Sequence, residues 1–366
     1  MSAETRPVLV KFSSPVDIVG SIPSLLGFHP AESIVVMCLR GPRKRTGLTM
    51  RIDLIDPKYD ESFAKETARR VAADDATAAI VVCYTEGSDD QDRLPRAGLV
   101  DELVGQLLRR GVSIAEALLV RAGRWFSYSC SEPCCPQEGT PIPAVAEGAA
   151  AQLEAERVLA GRTVLPSRED LEASVRGPVS LRRIALEQIY DRIGEAVIAE
   201  IIDDGPGPFR RRTIEMAREA FDKYADDSRD LDDEQAARIV LGLRDKITRD
   251  ELITWALDGR ADELIAFLTE LTQRTLDHDA APICTVLASV VYQHGGGPLA
   301  SVALERARRC DPGYEMARLL EAMMLGQLPP ERLRMAIRDT RRDVRRQLYQ
   351  SDDGWTVEAW RTLVGP

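Results

Sequence analysis

Continuous apolar runs at residues 34–39 and 79–83, each flanked by polar and turn-forming positions, predict two strands buried on both faces. Between them residues 48–54 alternate. Leu48, Met50, Ile52 and Leu54 fall on one side, while Thr49, Arg51 and Asp53 fall on the other, so this strand has one polar face. Ser14 followed by Pro15 is a cap with proline at the first helical position, and Gly27 closes the short helix they begin. Apolar pairs at 99/100, 103/104 and 107/108 predict an amphipathic helix that stops at Gly111. Residues 117–128 read as a hairpin turning at Ala122-Gly123, which sets Val120 opposite Trp125 and Leu119 opposite Phe126. Strands alternating with helices up to this point predict an α/β domain over residues 1–143, a mixed sheet with helices packed on it.

From Ala144 onward strand signals stop. Leu181, Ala185, Ile189, Ile193 and Val197 recur at helical spacing and predict one packed stripe, ended by Gly205-Pro206-Gly207-Pro208. Further helices fit 209–225, 233–245, 248–258, 261–276, 282–294, 298–310 and 314–325, so residues 144–330 read as an all-α helical array. Within it Ala300, Ala303, Leu304 and Ala307, then Asp311-Pro312, Tyr314 and Ala317, are similar to the second helix and turn of a tetratricopeptide repeat. That is one unit, where a stable array needs several. In the arginine-rich tail, 331–366, Leu333, Ile337, Val344 and Leu348 predict a basic amphipathic helix. It has two readings: a site for an acidic partner, or an element docked on the acidic middle of its own chain.

Composition narrows the class. At 366 residues with 44% hydrophobic and 29% charged positions, the chain can bury a full core and divides into more than one domain. The apolar runs are strand-sized, too short to span a membrane, and the first eleven residues lack a basic segment followed by an apolar one. Seven cysteines, an odd number over a long chain, do not form a paired disulfide framework and point to a reducing cytoplasm. The net charge of -11 sits in the middle of the chain and repels phosphate backbones, which disfavours nucleic acid as a general partner. Arginine far outnumbers lysine and alanine is abundant, as in proteins from G- and C-rich genomes.

Three segments in order carry a resemblance. They are Pro23-Ser24-Leu25-Leu26-Gly27-Phe28-His29-Pro30 with Ser33; Arg51-Ile52-Asp53-Leu54; and Gly123-Arg124-Trp125 followed by Tyr128, Cys130, Pro133-Cys134-Cys135-Pro136 and Gly139. Together they resemble an actinobacterial family catalogued as domain of unknown function 4192, from about Phe12 to about Leu328. The resemblance implies a cytoplasmic bacterial protein, brings no catalytic residues with it, and leaves the arginine-rich tail outside the shared pattern.

The densest candidate chemistry is Cys130-Ser131-Glu132-Pro133-Cys134-Cys135-Pro136, three thiols among prolines that forbid regular structure. Zinc takes four ligands in a tetrahedron, and this cluster supplies three unless a distant group such as His29 completes the shell. The same thiols can cycle between dithiol and disulfide, or form an inert turn. A second candidate joins Arg51 and Asp53, which share a face, to Ser33, Arg124 and Ser127 near strand ends. A guanidinium held by a strand suits a carboxylate or phosphate, whereas alternating charges on a half-wet strand also make a plain solvated face. His29 has no acid or base partner in sequence, His278 and His294 show no ligand spacing, and residues 294–298 read as an interhelical turn, with neither the strand nor the lysine of a P-loop.

No nucleotide loop, nucleophile elbow or zincin helix is present. The expectation is therefore a regulatory or binding protein, with a thiol-bearing segment for metal or redox chemistry and a helical surface for a protein partner. The alternative is an enzyme with its site at the strand ends near Ser33, Arg51, Asp53 and Cys130. A pocket beside those residues would favour the enzyme, and a grooved helical half would favour binding.

Overall fold

The computed structural model describes residues 12, 14–89, 93–130, 132–159, 161–228 and 231–349. It divides at Arg168/Glu169 into two compact units, so the N-terminal unit continues past the point near Pro143 where strand signals stop.

In the N-terminal unit the two all-apolar runs become β1 (Ser33–Arg40) and β3 (Ala76–Tyr84), antiparallel neighbours in the middle of one sheet. The alternating segment becomes β2 (Arg45–Asp53), on the outer side of β1. β4 (Ser113–Arg121) runs parallel to β3, and β5 (Arg124–Ser127) returns antiparallel to β4. The two-residue β6 (Thr140–Pro141) completes the order β2-β1-β3-β4-β5-β6. The hairpin has the expected register, Val120 against Trp125 and Leu119 against Phe126. Its turn residues Ala122 and Gly123 both take positive φ, as a two-residue turn matched to strand twist requires.

Continuous runs form at the centre because both faces are covered. α2 (Asp60–Ala73) and α3 (Ala97–Arg109) cover one face and bury Val36, Cys38, Val81, Cys83 and Leu119 with Leu99, Leu103 and Leu107. On the other face Val35, Met37, Val82 and Leu118 are equally buried. There α1 (Pro15–Leu26) packs against β4 and against α4 (Gly148–Leu159). Each buried side chain of this size contributes about 1.5–3 kcal/mol. α1 starts and stops as its residues predict: the Ser14 hydroxyl accepts from the Asp17 N–H, and Gly27 turns left-handed at φ 87°.

The C-terminal unit is helical throughout its described residues. After α5 (Arg168–Ala173), which begins at the division, come α6 (Ser180–Asp204), α7 (Pro206–Lys223), α8 (Asp233–Gly242), α9 (Lys246–Thr254) and α10 (Ala261–Gln273). Then follow α11 (Ala280–Gln293), α12 (Gly297–Cys310), α13 (Glu315–Leu325) and α14 (Pro330–Tyr349). α11 is buried at almost every position and forms the middle of the array. The stripe on α6 differs from expectation. Leu181 is 82% exposed and Ala185 is exposed, whereas Leu186, Tyr190, Val197 and Ile201 are buried. A strict four-residue spacing overshoots the 3.6-residue turn and drifts around the helix, so only its later members reach the packed side.

Buried charge locks the array. Asp245 caps α9, accepting from the N–H and hydroxyl of Thr248, and also receives the Arg210 guanidinium at 2.9–3.0 Å, with both side chains buried. Such a pair tolerates no half-removal, because a lone buried charge is left behind. Arg306, also buried, donates to the carbonyls of Val175, Thr272 and Thr275. The basic helix expected in the tail is α14, which lies on α9, α7 and α11 of the same unit. Arg345 reaches Glu251 at 3.3 Å, and Arg341 pairs with Asp258. Two of its arginines thus meet acidic residues of the same unit. The rest of the tail, 350–366, and the first eleven residues lie outside the described residues. No helix among the described residues is long and apolar enough to cross a membrane.

Candidate metal centre

The loop from β5 to β6 carries the cysteines, and its two ends are fixed by the residues that flank it. At the start, the Ser127 hydroxyl accepts from the backbone N–H groups of Ser129 (3.3 Å) and Cys130 (3.1 Å), turning the chain sharply. Tyr128 keeps the ladder to Ala117 with its N–H and donates its hydroxyl to the Pro95 carbonyl at 2.7 Å. Inside the loop, turns close from the Cys135 N–H to Glu132 and from the Gly139 N–H to Pro136. At the far end the Arg124 guanidinium donates to the carbonyls of Glu138 (2.7 Å) and Gly139 (2.8 Å). Gly139 has φ 71°, and a Cβ there would stand 2.6 Å from the Phe126 ring, so no other residue fits.

This framing brings the sulfur atoms of Cys130, Cys134 and Cys135 within 4.8 Å of one another. Cys130 and Cys134 are 3.8 Å apart, and all three are free thiols. A tetrahedral ion with bonds of about 2.3 Å to sulfur has a sulfur–sulfur edge of about 3.8 Å, which the Cys130–Cys134 separation matches; it is also the ordinary contact distance of two thiols. Cys134 is exposed and the other two are half-buried. The Cys130 thiol is held below its ordinary range by the Glu132 backbone N–H and by the neighbouring thiols. Burial, and the cost of a second negative charge beside its neighbours, push Cys135 up to about 12. Buried thiols elsewhere lack this division of roles: burial alone dominates at Cys38 and Cys284, both pushed up to about 12.

His29 is exposed and does not join the cluster, whose ligand atoms among the described residues are sulfur alone. The second candidate comes together only in part. Arg51 forms an ion pair with Asp53 at 2.6 Å, donates to the Ala31 carbonyl at 3.1 Å and lies over the Phe28 ring. Its side chain is only 12% exposed against 70% for Asp53, so it is neither a wet surface group nor an open fork of donors. Ser33 pairs in register with Asp53 but is fully buried. Arg124 and Ser127 belong elsewhere. Arg51 and Ser127 occupy one cross-strand row through Val35, Val82 and Leu118, four strand spacings or about 19 Å apart. Cys130 leaves β5 toward the start of β4, away from the row that holds Ser33, Tyr84 and Val120. Ser33, Arg51, Asp53 and Cys130 therefore do not line one site.

One further feature is only partly legible in the sequence. In the helical unit a cavity of about 680 Å³ opens among α9, α13 and α14, with Ile253, Leu319, Leu333, Ile337 and Val344 on its walls and Tyr314 at one end. Leu333, Ile337 and Val344 belong to the apolar stripe of the tail helix, but α9 lies some 60 to 90 residues before the other walls, so no local pattern marks the cavity itself.

No curated protein and no solved structure matches the chain. The three motif segments, the proline-framed thiols and the helical half up to α13 all fall within one family model, which matches residues 15–331. The chain belongs to the family described as domain of unknown function (DUF4192).

Proposed function

We propose that this chain is a metal-responsive binding protein, in which Cys130, Cys134 and Cys135 hold one zinc ion and the helical unit receives a protein partner. The observation that carries this reading is the convergence of three free thiols with a 3.8 Å edge between Cys130 and Cys134. Three thiolates with an open fourth position leave the ion able to take water or a ligand from a partner. The open groove in the helical unit supports binding over catalysis, and so does the scattering of the strand-end residues. Free thiols throughout the described chain fit a reducing cytoplasm, and the family resemblance together with the arginine-rich composition fits an actinobacterial source.

The test is native mass spectrometry of the full chain purified without chelators, then titrated with zinc. One zinc per chain, lost in Cys134→Ser and Cys135→Ser, is expected. A wild-type chain that retains no metal at stoichiometric zinc overturns the reading.

A further inference from the structure

The three thiols are not equivalent, and their geometry points to how the ion is let go. Cys130 and Cys134 approach to 3.8 Å, and Cys134 is the most exposed of the three. A disulfide needs sulfur–sulfur contact at about 2.05 Å, a closure of less than about 2 Å that side-chain rotation can supply. The adjacent pair, Cys134 and Cys135, is a worse match: neighbouring residues close a strained ring. Outside this pair the loop is held firmly, by Ser127 before it and by Arg124 after it.

We propose that hydrogen peroxide oxidises Cys130 and Cys134 to a disulfide and thereby releases the zinc, making the loop a peroxide-operated metal switch. This rests on the metal reading above. In the first step the sulfur of Cys130 attacks one peroxide oxygen; a sulfur–oxygen bond forms, the oxygen–oxygen bond breaks and hydroxide leaves. In the second step the Cys134 thiolate attacks that sulfur; the disulfide forms, the sulfur–oxygen bond breaks and a second hydroxide leaves. Each hydroxide takes a proton from solvent, and the two electrons lost by the sulfur pair reduce one peroxide to two waters. Cys135 remains as the one thiolate ligand, too few to hold the ion.

The full chain loaded with one zinc is titrated with hydrogen peroxide while a chromophoric chelator reports free zinc and peptide mapping reports the bridge. The expected result is one zinc released per peroxide consumed, a Cys130–Cys134 disulfide, and recovery of zinc binding after dithiol reduction. Cys135→Ser keeps the disulfide even though its zinc affinity falls, whereas Cys134→Ser stops at irreversible oxidation of Cys130. If zinc binds but stays bound through peroxide treatment, or if the bridge maps to Cys134 and Cys135, the switch is overturned while the metal site stands. A wild-type chain that binds no zinc overturns both.

Discussion

Around Cys130 three thiols face one another; around Arg51 most of the guanidinium is taken up by its own surroundings. Ser127, Arg124 and two internal turns fix the described backbone of the thiol loop at both ends, and the three sulfur atoms are left facing one another. Arg51 turns its two terminal nitrogens to Asp53 and Ala31 and its face to Phe28, and only the buried Nε is left over. A charged residue on a strand is thus no better evidence for a ligand than the number of its donors left over. A cluster whose scaffold asks nothing of it is stronger evidence.

The contrast can be broken at either end. The largest effect expected is on metal: Cys130→Ser should lower zinc affinity by more than about a hundredfold in a chelator competition assay while leaving the unfolding midpoint of the zinc-free chain unchanged, since the thiol packs little surface. Gly139→Ala comes next. It forces a Cβ against Phe126 at a left-handed position, and a loss of about 2–3 kcal/mol in denaturant unfolding, with weaker zinc binding, should follow. Arg51→Ala should cost about 1–2 kcal/mol in the same assay and leave zinc binding untouched, which would separate the two regions cleanly. A change in metal affinity there would join them again. Ser127→Ala should be mildest for stability, about 0.5–1 kcal/mol, but should raise the midpoint pH of zinc loading by loosening the turn that delivers Cys130.

Zinc loading itself should fall off as pH drops. Protons compete for the thiolates, and Cys135, pushed up to about 12, must lose its proton on binding. Proton release measured in weakly buffered solution should therefore exceed one per zinc at neutral pH, and equal heat of binding in buffers of different ionisation enthalpy would contradict it.

Elements were readable wherever local chemistry decides them. Ser14-Pro15 and Gly27 bound α1, Ala122-Gly123 set the hairpin register, and glycine and proline separated the helices close to where they fall. Three thiols in six residues mark the segment, but their spacing alone leaves an inert turn as open as a cluster, and the turns at Glu132 and Pro136 decide how the sulfur atoms stand. What stayed hidden depends on pairing between distant segments. That β2 lies beyond β1 rather than near β5 puts Ser127 far from Arg51, and no local spacing encodes that order. The packed side of α6 and the groove beside α14 likewise depend on neighbours distant in sequence.

Proline at position 141 bears on more than loop geometry. β6 is two residues long and one of them offers no amide hydrogen, so this border of the sheet cannot be lengthened by a strand from another molecule. The segment that presents the sulfur atoms therefore also closes the flank of β5 at Arg124 and Trp125 and sets Gly139 against the Phe126 ring. Damage to it should show first as self-association of the chain, before any loss of helical content.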